Sequence, residues 1–331
     1  MFNAEYRLKG EYTLTVTSID GRVRKVGPFP NLITDIGLQR ITEGTWIEAC
    51  ALGYSDTAPS VEQTGLFSSA AVQSSSRTNS HIQHPNVYIG DIAEIKETIS
   101  WRFPVGSISG DLKEVAVGWE TQNPFMFWAF SRSLILDQFG NPVTLNILST
   151  DIVDVDYTLS LFVDTSIFSH QLMLDGVQHT VSHRTVWLNS TVYWRIFSRG
   201  TNISPRAGVL RYGANVTSVR ALPTTSYTDW TDSRLSVDSY QSGHLVSGTN
   251  RQDIFEEKNE TYSRDTKITW TFPNANFSSG IGWVSTRSRT STASSLASTY
   301  LTRMLRIEPP IMKEDIHDFH ITFRNTFARH P

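Results

Sequence analysis

Cysteine occurs once in the 331 residues, at Cys50, which excludes an internal disulfide framework and a cysteine-based zinc site within one chain. A lone thiol of this kind is expected in the core. Charge is also sparse, at 18 % of residues, and the 29 basic and 32 acidic side chains leave a net charge of only −3. A chain so balanced has no polyanion-binding surface in its bulk electrostatics, so nucleic acid is not an expected partner. No apolar run approaches bilayer length, and Met1 to Gly10 lacks the apolar core of a secretory signal. The expectation is a chain made in the cytosol that stays soluble, without membrane insertion. Missing too are a Gly-x-Ser-x-Gly elbow, a phosphate-cradling glycine loop and a dinucleotide fingerprint. The expectation is therefore a protein that is not an enzyme, with no catalytic residue, cofactor or metal. Paired carboxylates for glycoside cleavage need no local motif, so a polysaccharide hydrolase is kept as a third reading.

What the chain does have is an ordered internal likeness. Ile99-Ser-Trp101-Arg-Phe103-Pro104 is answered by Ile268-Thr-Trp270-Thr-Phe272-Pro273, and Phe130-Ser-Arg132-Ser-Leu134 by Leu301-Thr-Arg303-Met-Leu305. Asp151-Ile-Val-Asp154 to Leu159 is answered by Asp315-Ile-His-Asp318 to Phe323. Upstream, Asp20-Gly21 matches Asp175-Gly176, Arg40-Ile41 matches Arg195-Ile196, and Leu52-Gly-Tyr54 matches Leu210-Arg-Tyr212. The blocks keep one order while their spacing drifts, which is how insertions in loops behave. Two β-rich halves also share a narrow alphabet of Val, Ile, Thr and aromatics, which is the competing account. Read as a duplication, the chain divides near Asp164 to Ile167 into 1–165 and 166–331.

Taken in order, Tyr12 to Ile19 alternates apolar with polar residues and Asp20-Gly21 turns it back through Val23 and Val26, a hairpin with a type I′ turn expected. Asn31 or Thr34 caps a short helix from Asp35 toward Trp46, burying Ile36, Leu38, Ile41 and Ile47, with a counterpart from Ser190 to Phe197. Ser55 to Ser80 and Leu222 to Gly248 are rich in Ser, Thr and turn residues and read as long exposed loops, of the kind that carry function or are pinned by a neighbouring subunit. Strands are expected over Thr98 to Phe103, Leu112 to Trp119, Phe125 to Ile135 and Val143 to Ile147, the third covered on both faces. In the last strand, Val153, Val155, Tyr157, Leu159 and Leu161 point inward. Offset by 164, they become His317, Phe319, Ile321, Phe323 and Asn325, apolar at the centre. The expected fold is all-β: two tandem duplicated antiparallel β-sandwich domains, each with one short helix.

Three sets of residues are weighed for chemistry. Asp154 and Asp156 share a strand face about 7 Å apart, with Asp151 nearby, and read as a solvated edge rather than a cation site. His179 and His183, with His170 close in sequence, would share a helix face, but Asp175-Gly176 makes this a hairpin whose i, i+4 imidazoles stand about 13 Å apart. Trp101 and Trp270 occupy matched core-facing positions. Tyr227, Trp230 and Tyr240 in the second long loop are the aromatics held as candidates for recognition of a surface glycan.

Asn31-Leu-Ile33-Thr34-Asp-Ile-Gly37, followed by Phe130-Ser-Arg132 with Phe139-Gly-Asn-Pro-Val-Thr-Leu145 and Asp154-Val-Asp-Tyr157-Thr-Leu159, resembles structural proteins of tailed bacteriophages. These are tail fibres, collar or neck appendages and baseplate-associated components. The likeness is clearest from Asn31 to Phe162, and the second half departs from it at Gly282 to Ser295. It implies a virion (tail) protein assembled in the host cytoplasm, a homo-oligomer of three or six chains docked onto other tail, neck or baseplate proteins. Binding of a host surface glycan is the alternative it leaves open.

Overall fold

A computed structural model describes residues 1–43, 47–74, 76–77, 82–83, 88–89, 91–122, 125–187, 218–223, 253–260, 262–270, 280–289, 300–312 and 319–331. Strands dominate, as the all-β expectation has it. Phe2–Thr17 (β1), Val23–Pro30 (β2) and Leu32–Ile33 (β3) lead into a helix, Asp35–Glu43 (α1). Ala49–Gly53 (β4) and Ser69–Gln73 (β5) follow, then three two-residue strands, Ser76–Arg77 (β6), Ile82–Gln83 (β7) and Tyr88–Ile89 (β8). Next come Ile92–Phe103 (β9), Gly110–Leu112 (β10), Glu114–Gln122 (β11), Phe125–Leu134 (β12), Leu145–Ile147 (β13) and Ile152–Asp164 (β14). Beyond them lie Phe168–Leu174 (β15), Val177–Trp187 (β16), Ser218–Pro223 (β17) and Asp253–Glu260 (β18). Ser263–Trp270 (β19), Ile281–Arg289 (β20), Tyr300–Ile311 (β21) and Phe319–Arg329 (β22) complete the order.

One large sheet runs β18-β19-β22-β1-β14-β9, with β2 beside β1 and the short β6, β7 and β8 along β9. A second, β3-β12-β11-β4-β5, contributes Cys50, Leu52, Val115, Val117 and Phe130 to one core cluster with Tyr12, Leu14, Trp101, Val155 and Tyr157 of the large sheet. Leu38 and Ile41 of α1 join that cluster. A third sheet, β15-β16-β21-β20-β17, supplies Val181, Val284 and Leu305 to a smaller cluster with Phe2, Ile321 and Phe323. The large sheet therefore serves both cores. What joins them is parallel pairing of β1 with β22, from Phe2 opposite Phe323 to Leu8 opposite Arg329, between the two ends of the sequence.

Several local expectations are met, and others are revised. Val153, Val155, Tyr157, Leu159 and Leu161 are fully buried, and Ile321 and Phe323 keep the same parity in β22. Trp101 and Cys50 are buried. Thr34 caps α1 by accepting the Gly37 N–H at 3.0 Å, an arrangement worth about 1 kcal/mol, and the helix is described as far as Glu43, with 44–46 outside the described residues. Its expected counterpart over Ser190 to Phe197 lies outside the described residues. The first hairpin turns through a five-residue connection in which Gly21 alone takes positive φ, so it is not a two-residue type I′ turn. Asp175 and Gly176 both take positive φ, and there the two-residue turn is found.

Two stretches singled out in the sequence, Asn31 to Gly37 and Phe130 to Arg132, meet in space. Asn31 donates to the Ser131 hydroxyl at 2.8 Å, the Thr34 N–H to the Phe130 carbonyl at 2.9 Å, and Tyr12 shares a 2.9 Å bond with Ser131. A Cβ on Gly37 would stand 2.3 Å from the Phe130 carbonyl oxygen, so only glycine lets α1 lie this close to β12. The blocks are thus one packing unit.

The stretch after Tyr54 is not a free loop. Arg132, fully buried, donates from Nε to Glu114 at 2.7 Å, from Nη1 to the Gln63 side chain at 2.9 Å and from Nη2 to the Thr57 carbonyl at 2.7 Å. Glu114, equally buried, accepts the backbone N–H groups of Ser55 and Ser68. A desolvated ion pair is tolerable when its remaining hydrogen-bonding positions are filled, and here the loop fills them. The segment is exposed or half-buried over 54–74, as expected, but it ends in β5 and β6 and is pinned by an internal polar anchor that its own Ser- and Thr-rich composition does not reveal.

Near the C-terminus, Arg329 donates to the Ile33 carbonyl at 2.6 Å and pairs with Asp35, tying β22 to the start of α1. The hydrogen bond from Arg329 holds the Asp35 carboxyl below its usual range, aided by the Tyr262 hydroxyl. A depressed carboxyl contributes stability above its unfolded value, near pH 3.9, and loses it as pH falls through the folded value. Because the pair is partly exposed, Asp35→Asn is expected to lower unfolding free energy by under about 1 kcal/mol at pH 7. Urea unfolding should show that difference vanishing in acid.

Candidate functional site

A cleft of about 510 Å³ opens where β14 parts from β1. It is lined by Asn3, Ala4, Glu5 and Arg7 of β1, by Phe162 and Asp164 of β14, by Phe168 of β15 and His183 and Thr185 of β16, and by Met1, Ile92 and His330. That volume falls in the range of ligand-binding clefts. The local sequence builds it simply. β1 is long enough to pair with β14 over Tyr6 to Thr17 and still reach past it, because Asp164 ends β14 and Thr165 turns its N–H and hydroxyl to the Asp91 carbonyl at 2.7 Å each.

Aromatic rings stand on two sides. Phe162 stacks on His330 with centroids 3.8 Å apart, and Phe168 stacks on His183, its direct partner across the β15–β16 ladder, at 5.4 Å. Phe2 sits behind, 5.0 Å from His170 and 5.6 Å from His183. Burial, with the positive N-terminus as a lesser cause, pushes the His170 imidazole below its ordinary value, so near neutral pH it acts as an aromatic surface. Charge comes from Glu5, paired with Arg7 at 2.7 Å, and from Asp164, which accepts the Ser166 N–H at 2.8 Å.

The residues singled out for chemistry fall elsewhere. Asp154 is held by Arg102 in a two-pronged pair at 2.7 Å for each bond, and Asp156 accepts the Ser100 hydroxyl at 2.5 Å. Their strand lies mid-sheet between β1 and β9, which overturns the reading of a solvated edge: both carboxylates are cross-strand partners. Asp151 is buried and accepts the Leu148 N–H at 3.1 Å, closing a turn. His179 is also buried, bonded to the Pro309 carbonyl at 2.7 Å. His170 and His183 come together as neighbours on adjacent strands, 6.2 Å between rings. Among the described residues no group of three His, Cys, Asp or Glu could hold a metal ion. Tyr227, Trp230 and Tyr240 lie outside the described residues.

Glu5, Arg7 and Phe168 were not found from sequence. The available signal was the run from Thr165 to Leu174, which contains no Asp, Glu, Lys or Arg although Phe168–Leu174 within it is the outer strand of its sheet among the described strands. Natural sheets usually guard such edges with charge. No family model matches the chain, and no curated protein or solved structure is significantly similar to it.

Proposed function

We propose that the protein is a structural component of a bacteriophage tail, assembling with copies of itself and docking onto other tail, neck or baseplate proteins, without catalysis. The observation that carries this reading is β15. It is the outer strand of its sheet among the described strands, seven residues long, uncharged, and it presents Phe168 and Met173, which are 45 % and 62 % exposed. An edge of this kind pairs with another strand when one is offered. Antiparallel pairing of β15 with β15 of a second copy is self-complementary and builds a two-fold contact, so of three or six chains the geometry favours six.

The tandem arrangement is part of the proposal. Trp101 stands opposite Val155 and Trp270 opposite Phe319, so residues matched by the sequence likeness are also cross-strand partners in both halves. Arg132 faces Ala116 and Arg303 faces Thr286 in the same way. These registers support a β-sandwich unit present twice, at 1–165 and 166–331. The halves differ where the hairpin β1–β2 belongs to the large sheet and β15–β16 to the third.

Light scattering on the purified chain should give a multiple of 37.3 kDa. Met173→Lys, which places a guarding charge on the edge, should shift it toward the single-chain mass at equal concentration. A wild-type mass of one chain at high concentration would sink the assembly reading. A second reading, recognition of a host surface glycan, draws support from the aromatic rings beside the cleft, since such faces stack on sugar rings. Glycan-array binding tests it.

A further inference from the structure

The cleft says more about what docks, and this step rests on the docking part of the reading above. Successive residues of a strand point to opposite faces of a sheet, so a depression on one face is lined by alternate residues. Asn3, Ala4 and Glu5 are consecutive, and all three line this cleft. It therefore lies against the edge of β1. That edge is the one β14 leaves. Pairing runs from Thr17 opposite Ile152 to Tyr6 opposite Val163, and no described strand continues it over residues 2–5. The other edge of the same stretch is filled by β22 from Phe2 onward. A short length of β1 thus has room in front of backbone groups that ordinarily pair.

We infer that the cleft accepts an extended polypeptide segment of a partner protein, added as a strand to the open edge of β1 and carrying a basic and an apolar side chain. The basic residue follows from charge. Continuing the β1–β14 register one step places Glu5 opposite Asp164, both exposed, and like charges directly opposed in a ladder repel. Arg7 offsets one carboxylate, while Asp164 has no cation partner among the described residues. A lysine or arginine on the added strand supplies it. The apolar residue follows from Phe168 and Ile92, 45 % and 41 % exposed at the mouth, which a neighbouring strand would cover. A saccharide would use the rings but not a row of backbone groups along a strand.

Hydrogen exchange on the full chain tests this with three probes: a peptide of alternating Val and Lys about eight residues long, near typical strand length; the same peptide with alternate valines replaced by proline; and a neutral hexose oligosaccharide. The alternating peptide should slow exchange, about tenfold or more at saturation, in those amides of residues 3–5 that β22 leaves unbonded. Its affinity should fall about tenfold when Glu5→Lys and Asp164→Lys are combined, and should weaken as salt rises. The proline peptide, which lacks an N–H donor at each substituted position and so cannot extend an unbroken ladder, should give markedly weaker protection. Both substituted side chains are exposed, and circular dichroism checks that the variant is folded. No slowing at residues 3–5, equal protection by the proline peptide, or protection by the oligosaccharide instead would overturn the inference. Failure here with the multi-chain mass intact leaves assembly standing, whereas a single-chain mass with peptide protection intact removes self-assembly alone.

Discussion

Glu114→Gln is expected to lower the unfolding free energy by about 3–5 kcal/mol, the cost of leaving a buried charge without its partner. Glutamine is nearly isosteric and its oxygen can still accept the Ser55 and Ser68 N–H groups, so packing and the loop contacts change little. What changes is the side facing Arg132. An amide N–H₂ would meet the guanidinium donor where a carboxylate oxygen now accepts at 2.7 Å, inside a site from which both side chains are wholly excluded from solvent. Urea unfolding measures the loss, and limited proteolysis between Tyr54 and Ser68 should report release of the segment that Arg132 and Glu114 hold down. Pairing Glu114→Gln with Arg132→Met should recover part of the stability, since removing both charges removes the desolvation penalty along with the attraction. A single substitution costing less than about 1 kcal/mol would mean that the pair behaves as a surface salt bridge.

Gly118→Ala should be at least as damaging. Between Val117 and Gly118 the pairing of β11 with β12 slips by one residue, so that Phe130 is the extra residue of a bulge. A Cβ at Gly118 would lie 1.8 Å from the Trp128 carbonyl oxygen and 2.9 Å from the Phe130 nitrogen, both backbone atoms that no rotamer change can move. The strands would have to separate by more than an ångström. The same Phe130 carbonyl receives Thr34 and lies against Gly37, so separation would also lift α1 from the sheet. A loss of about 3 kcal/mol or more is expected, at the upper end for an added methyl group. Thermal unfolding followed by circular dichroism reads it, and a change below about 1 kcal/mol would show that the bulge relaxes cheaply.

Both sites show where a linear reading stops. Arg132 was noticed as part of a repeated block, and its partner in the ladder position of Glu114 has no acidic equivalent in the second half, where Val284 stands opposite Leu305 as Glu114 stands opposite Leu134. Likeness between the two blocks therefore gives no sign of the polar anchor. The cleft was less legible still. Asn3, Glu5 and Arg7 look like the wet face of any strand, and nothing in their order tells that β14 stops short of them.

Alternation of apolar and polar residues, the two-residue turn at Asp175-Gly176, the cap at Thr34 and the inward parity of β14 followed from the chain itself, because each depends on neighbours a few residues away whose geometry is set by backbone sterics and burial. Which strand lies beside which was decided only in three dimensions. β1 joins β22 across the whole length of the sequence, and β14 takes the middle of a sheet rather than its edge. Backbone hydrogen-bonding groups are the same at every residue, so the choice of partner strand, and with it every edge and the cleft at Asp164, is settled by packing of the whole molecule.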